Sequence, residues 1–393
     1  MTILPQQPMI TAKRHMIVAG HYLATEAGAK ILEAGGNAID AGVAAGIALG
    51  VVHSDQVQFS GVAPMLIYLA EKDEVISIAG LGHWPKSANL SLFENQYNGT
   101  IPLGLLRTVV PAAPDAWITV LKNYGTMSFG EVASSAIKYA REGITVHPTM
   151  SKFLSRYQEN YRMWPSNSNI WQKNGHPLEV GDLLIQTDLA ASIQFMADQE
   201  AAAMKDGREK GLQAARDAFY VGDIASIIVK YHKENGGLMT ADDMASYATP
   251  IEKPLSINFR GTEVYSCRPW CQGPVLLQML NMLNDIDLKA MGHNSTNYIH
   301  YLAETIKLSF ADRERYYGDP NFVDVPVEKL LSSEFARQRQ EQIDLQKAWS
   351  KMPPAGEIEG FGGISLRSKI NSDASFSEPD TSYTCTMDKH GNV

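Results

Sequence analysis

The sequence predicts an α+β protein, and three observations carry that prediction. Short apolar runs bounded by turn residues lie near the N-terminus, at His15-Met-Ile-Val-Ala19, Met65-Leu-Ile-Tyr-Leu69 and Glu74-Val-Ile-Ser-Ile78. A long middle, from Pro111 to Ala140 and on through Leu184 to Val229, has helical spacing in place of alternation. Extended segments then return at Leu255 to Tyr265 and at Ser382 to Met387. Strands, a block of helices, then strands again is not the strict βαβ order of a parallel sheet.

The elements follow in order. The run ending at Ala19 is a strand closed by Gly20, and small and apolar residues from His21 to Glu33 recur at helical spacing until Gly35-Gly36 stops them. Asn37 then caps a second helix, Ala38 to about Val52, rich enough in Ala and Gly for neighbours to approach closely. Glu71-Lys-Asp73 is the polar turn between the next two strands. Gly236-Gly237 breaks the helical middle, and Arg260-Gly261 turns the Leu255–Tyr265 stretch. Gly273-Pro274 opens an apolar helix, Val275 to Leu283, and a long helix runs from Asn297 to Tyr317 before Gly318-Asp-Pro320. On it, Asp312-Arg-Glu-Arg315 reads as a solvated or ion-paired face. Residues 353–379 are rich in Pro, Gly, Ser and acidic residues and read as a flexible linker. A single domain is expected, because no linker interrupts the chain earlier.

Composition sets the outer bounds. The 393 residues are 45% hydrophobic and 20% charged, enough for one large core or two smaller ones. A net charge of −9, with no basic run or aromatic-basic stripe, argues against nucleic acid. Ala41 to Val52, the longest apolar stretch, is too short to span a bilayer, so no membrane is expected. Cys267, Cys271 and Cys385 cannot form a disulfide framework for a chain this long. Cys267 and Cys271 have no second ligand pair, so they read as ordinary thiols and no metal site is expected. The polar, proline-bearing N-terminus lacks the apolar core of a secretory signal, and with the free thiols it suggests a cytoplasmic protein. Gly80-Leu-Gly82 lacks the third glycine of a dinucleotide loop, and no cofactor is expected.

The segment from Asp380 to Val393 is the informative one. Tyr383, Cys385 and Met387 alternate with Ser382, Thr384 and Thr386, which is a strand, and Asp388-Lys-His-Gly-Asn392 is a hairpin turn. A turn with no return strand after it makes the chain read as cut off. A Thr opening a strand after an acidic linker is also where a self-cleaving precursor would place a new N-terminus. The Thr hydroxyl is a weak nucleophile until a base takes its proton, and a terminal amine titrating near ~7.7–8.0 can be that base. Pattern alone leaves Thr381 a β-branched residue that starts a strand.

Motifs spread along the chain go further. They are Gly35-Gly-Asn-Ala-Ile-Asp-Ala41 with Ala44-Ala45 and Gly50-Val-Val52, then Tyr124-Gly125 and Ala140-Arg-Glu-Gly143, then Asn235-Gly-Gly-Leu-Met-Thr240 with Asp243 and Tyr247. Phe259-Arg-Gly261, Gln272-Gly-Pro274, Phe310-Ala-Asp-Arg313, Gly318-Asp-Pro320, Asp380-Thr-Ser-Tyr and Asp388-Lys-His-Gly-Asn392 follow. Together, from about residue 15 onward, they resemble the γ-glutamyltransferases (γ-glutamyltranspeptidases) of the N-terminal-nucleophile hydrolase superfamily. The resemblance implies a four-layer αββα sandwich, incomplete in this chain. It implies a large-subunit region over residues 1–380 and the start of a small-subunit region over 381–393. It also implies autocleavage between Asp380 and Thr381, Thr381 as catalytic nucleophile forming an acyl ester, and an oxyanion hole supplied by the small subunit of the same precursor. The substrate would be a γ-glutamyl or other small N-acyl amide, and homodimer assembly is left open.

One departure bears on substrate. The family places an Arg for the glutamate α-carboxylate just after the second early strand, and here Ile78-Ala-Gly-Leu-Gly-His-Trp-Pro85 has none. His83 and Arg107 are the substrate-binding candidates left nearby. Cys271-Gln-Gly-Pro274 stands where the family has Ser-Ser-Gly-Gly, as in acylase-like relatives. The rival reading is a catalytically inactive remnant acting only in binding.

Overall fold

The first strand, Met16–Ala19, pairs with no sequence neighbour: its antiparallel partner is Thr384–Met387, with Met16 opposite Met387 and Ala19 opposite Thr384. The structure, a computed structural model, describes residues 9–363 and 381–393. Contacts group them into two compact units. One holds the described residues up to Glu74, Ala79 to Pro250 and those from Thr381 onward; the other holds Val75–Ile78 and the residues from Ile251 to Gly363. Among the described residues no helix is long and apolar enough to cross a membrane. The mixture of helices and sheets is the expected α+β class.

In the larger unit, two helices form the frame of the candidate site. Tyr22–Glu33 begins at His21, whose ring accepts from Leu23 N at 3.2 Å. Ala38–Val52 begins at Asn37 with a reciprocal cap: Asp40 N donates to Asn37 Oδ1 and Asn37 N to Asp40 Oδ2. That second helix is apolar around almost its whole circumference and accordingly buried. Gly28 is where the two helices touch, since a Cβ there would lie 2.8 Å from the Ala41 carbonyl oxygen. Against the buried helix pack Ala113–Tyr124 and Phe129–Glu142; Thr187–Ala203 packs on Phe129–Glu142, and Arg208–Tyr220 on Ala113–Tyr124 and Thr187–Ala203. The helical middle also contains two-residue pairings, such as Ile144–Thr145 with Leu183–Leu184, too short to leave a pattern in the sequence.

The Thr384–Met387 strand alternates as expected, and it is the hydroxyl face that turns inward. Thr386 Oγ1 donates to the Ala38 carbonyl at 2.7 Å and Thr384 Oγ1 to Val18 O at 3.1 Å, while Tyr383, Cys385 and Met387 face outward. The following turn closes through Asp388 N to Asn392 O. Val393 and Tyr68 then exchange both backbone hydrogen bonds, at 2.9 and 3.0 Å. The turn is thus held from the Met65–Leu69 strand, distant in sequence.

The motif around Asn235–Tyr247 is structural. Thr240 and Asp243 cap Ala241–Ser246, Asp243 also accepts from Lys86 N at 2.9 Å, and Tyr247 Oη donates to Leu81 O at 3.0 Å. Together they hold the loop that carries His83.

The smaller unit contains the Leu255–Phe259 and Thr262–Ser266 hairpin, turned at Arg260 and Gly261 with φ of 52° and 85°. Its helices are Gly273–Leu283, Thr296–Tyr316 and Ser333–Gln340. Asp312 lies inward, fully buried, and accepts from Arg339 Nε at 3.1 Å and Gly356 N at 2.7 Å. Arg315 pairs outward with Glu357, so the expected solvated or ion-paired face divides into a buried pair and an exposed one. Cys267 and Cys271 are unoxidised and half-buried; the hydrogen bond from Cys267 brings the Cys271 thiol down to about 7.

Candidate active site

Two residues bring the segment after the linker against the two framing helices. Gly20 N donates to Tyr383 O at 3.0 Å, extending the strand pairing by one bond. Gly20 also faces Ser382 so closely that a Cβ on it would stand 2.2 Å from Ser382 Oγ. No larger residue fits there without moving the serine. Ser382 Oγ lies 3.2 Å from Nδ1 of His53, the C-cap residue of Ala38–Val52. Thr381, immediately before it, is exposed.

Behind this contact is a cluster of imidazoles. The His147 ring is 5.6 Å from the His53 ring and 5.4 Å from that of His21. Asp55 is buried, and its Oδ1 is 4.0 Å from His147 Nε2. Burial first, then the neighbouring His147 and His53, bring His21 down to about 4. Burial also lowers His53, against the opposing pull of Asp55. Both rings are therefore mainly neutral at pH 7, and a neutral imidazole beside a hydroxyl can accept its proton. Local structure fixes two of them: His21 and His147 each begin a helix, His147 by accepting from Met150 N at 3.2 Å.

The sequence-derived candidates separate. Thr381 sits beside this cluster through Ser382, and Asp380 lies outside the described residues. His83 is exposed on its loop, its carbonyl accepting from Val110 N at 2.8 Å and its ring 5.7 Å from that of Tyr247. Arg107 Nε donates to the Ile101 and Pro102 carbonyls at 3.0 and 3.1 Å. Neither shares a described contact with Thr381, Ser382 or the histidines. A cleft of about 750 Å³ opens at the far end of the strand, by Asn37, Asp388, His390 and Asn392, and Thr381 does not line it. Sequence reading passed over Ser382, His21, His53, Asp55 and His147. His53-Ser-Asp55 just past an apolar helix is a visible signal, but nothing in the spacing ties it to His147 or Ser382.

The family model for γ-glutamyltranspeptidase matches residues 24–393. The chain belongs to the γ-glutamyltranspeptidase family. It is 32% identical to the glutathione hydrolase proenzyme of Escherichia coli (strain K12), over 98% of this chain and 62% of that protein. To the acylase ACY 1 proenzyme of Pseudomonas sp. (strain SE83) it is also 32% identical, over 88% of this chain and 62% of that one. The crystal structure of Helicobacter pylori γ-glutamyltranspeptidase superposes with a TM-score of 0.80 at 31% identity, covering 88% of this chain and 97% of that chain. The chain thus spans less than two thirds of the length of these curated relatives.

Proposed function

We propose that this chain is the large-subunit region, with the start of the small-subunit region, of an amide hydrolase or acyltransferase precursor that cuts itself before Thr381. The observation that carries the reading is the seating of the segment after the linker. Antiparallel pairing with Met16–Ala19, the Gly20–Tyr383 bond and the Ser382–His53 contact fix the residue next to Thr381 in one place. In the cut, Thr381 Oγ1 attacks the Asp380 carbonyl carbon and its proton passes to the Thr381 nitrogen; the C–N bond breaks as the ester forms, which frees the amine, and water then hydrolyses the ester to release the Asp380 carboxylate and the Thr381 hydroxyl. That amine is then the base for attack by the same hydroxyl on an amide substrate, and the acyl group passes through a Thr381 ester to water or an acceptor amine. The four-layer sandwich, a small subunit from the same precursor completing the oxyanion hole, and a cytoplasmic location belong to this proposal. So does a substrate class of small N-acyl amides, supported by two relatives named as a glutathione hydrolase and an acylase.

The test is to express the reading frame containing this sequence and follow it by intact mass and N-terminal sequencing. The wild type should yield a fragment beginning at Thr381, and Thr381→Ala should stay whole. Continued cutting at that bond in the alanine variant would overturn the proposal.

A further inference from the structure

The geometry points to a binding site for a zinc-class divalent ion formed by His53, Asp55 and His147. One ligand atom from each lies within 4.8 Å of the others. Two of the three are unsatisfied: Asp55 Oδ1 and His147 Nε2 are both buried without a hydrogen-bond partner, although 4.0 Å separates them. The Asp55 side chain is completely shielded from solvent. A buried carboxylate oxygen facing an imidazole nitrogen across that gap lacks the partner that buried polar atoms normally have. An ion between them satisfies both at once. Zinc bonds of about 2.0–2.2 Å put ligand atoms roughly 3.3 Å apart, so the group must draw inward and the His147 ring must give up its cap bond from Met150 N.

The donor set selects the ion class. Two imidazoles and one carboxylate suit zinc, cobalt, nickel or iron over magnesium or calcium, which take oxygen ligands. Three protein ligands leave a fourth position open. Ligation through Nε2 places the His147 proton on Nδ1, so the cap bond from Met150 N is exchanged for the metal bond. The ion would tie the turn after Ala38–Val52 to the start of Pro148–Arg156, and it would hold the imidazole that meets Ser382. The inference does not depend on the cutting reaction. Three residues from two places in the chain form this group, and the only cysteine pair close in sequence is elsewhere.

The experiment is a titration of the untagged, EDTA-dialysed chain with ZnCl2 by calorimetry, and with CoCl2 by visible absorption. One ion per chain should bind, with a rise in melting temperature and, for cobalt, the intense bands of a four- or five-coordinate site. Asp55→Asn and His147→Gln should each weaken binding at least 10-fold, while His176→Gln, at an exposed histidine, leaves it unchanged. Should either variant fail to fold, the cobalt spectrum and zinc-dependent melting of the wild type still decide. Absence of a saturable site in the folded wild type, or binding that survives both substitutions, would overturn the proposal and leave the pair to a proton or a water.

Discussion

Replacing Asp388 by Ala tests how the segment after Thr381 is held. Asp388 is 5% exposed, and its carboxylate accepts from Ala38 N at 3.0 Å, His390 N at 2.8 Å, Asn392 N at 3.1 Å and Asn392 Nδ2 at 2.9 Å. Ala38 is the first residue of its helix, so the charge also meets the positive end of the helix dipole. Hydrogen bonds to a charged group are worth about 1.5–3 kcal/mol each, and the carboxylate's own burial offsets part of their sum. A loss of about 3 kcal/mol is expected at pH 7. Burial alone would push the carboxyl up, but the bonds from Asn392, Ala38 and His390 outweigh it and hold it below its ordinary 3.8. The stabilisation is therefore fully present above that ordinary value and lost as pH falls through the lower folded value, so the gap between wild type and variant should narrow in acid. Urea unfolding followed by tryptophan fluorescence at several pH values measures the gap, and hydrogen exchange at the Ala38 amide locates it. A penalty under about 0.5 kcal/mol at pH 7, within the range of ordinary surface changes, or a gap that widens from pH 5 to pH 3, would refute the reasoning.

Three further outcomes are expected. Gly20→Ala should slow cutting before Thr381 at least 10-fold on a time course of denaturing gels, because its Cβ would displace Ser382 Oγ; adding Ser382→Ala should restore part of the rate, and a double variant no faster than the single would exclude this clash. Asp312→Ala should destabilise the smaller unit by about 3–5 kcal/mol in chemical denaturation by leaving Arg339 buried and unpaired, whereas Arg315→Ala, whose partner Glu357 is exposed, should change it by less than about 1 kcal/mol. On the proposed function, the cut protein should turn over γ-glutamyl anilides roughly 10- to 100-fold less efficiently in kcat/KM than other N-acyl anilides, since the missing guanidinium fork is worth about 1.5–3 kcal/mol. Equal turnover would show that another cation fills that role.

What was legible in the sequence was what local chemistry determines. Asn37 announced the helix it caps, Gly35-Gly36 its predecessor's end, and the alternation from Ser382 to Met387 the two faces of a strand. Long-range pairing was not legible, because a strand's partner leaves no trace in its own spacing. Thr384–Met387 had no local partner, and its partner is Met16–Ala19, with the turn after it held by Tyr68. The same limit concealed the histidine cluster. His21 and His147 each satisfy a purely local need as the residue that begins a helix, and that role explains them fully from the sequence side. Packing then turns their free ring edges toward one another and toward His53. A polar residue with a complete local explanation can still be half of a site. The sign that it is lies in what remains unsatisfied after folding, and here that is Asp55 Oδ1 and His147 Nε2, one helix cap away from the residue that follows Thr381.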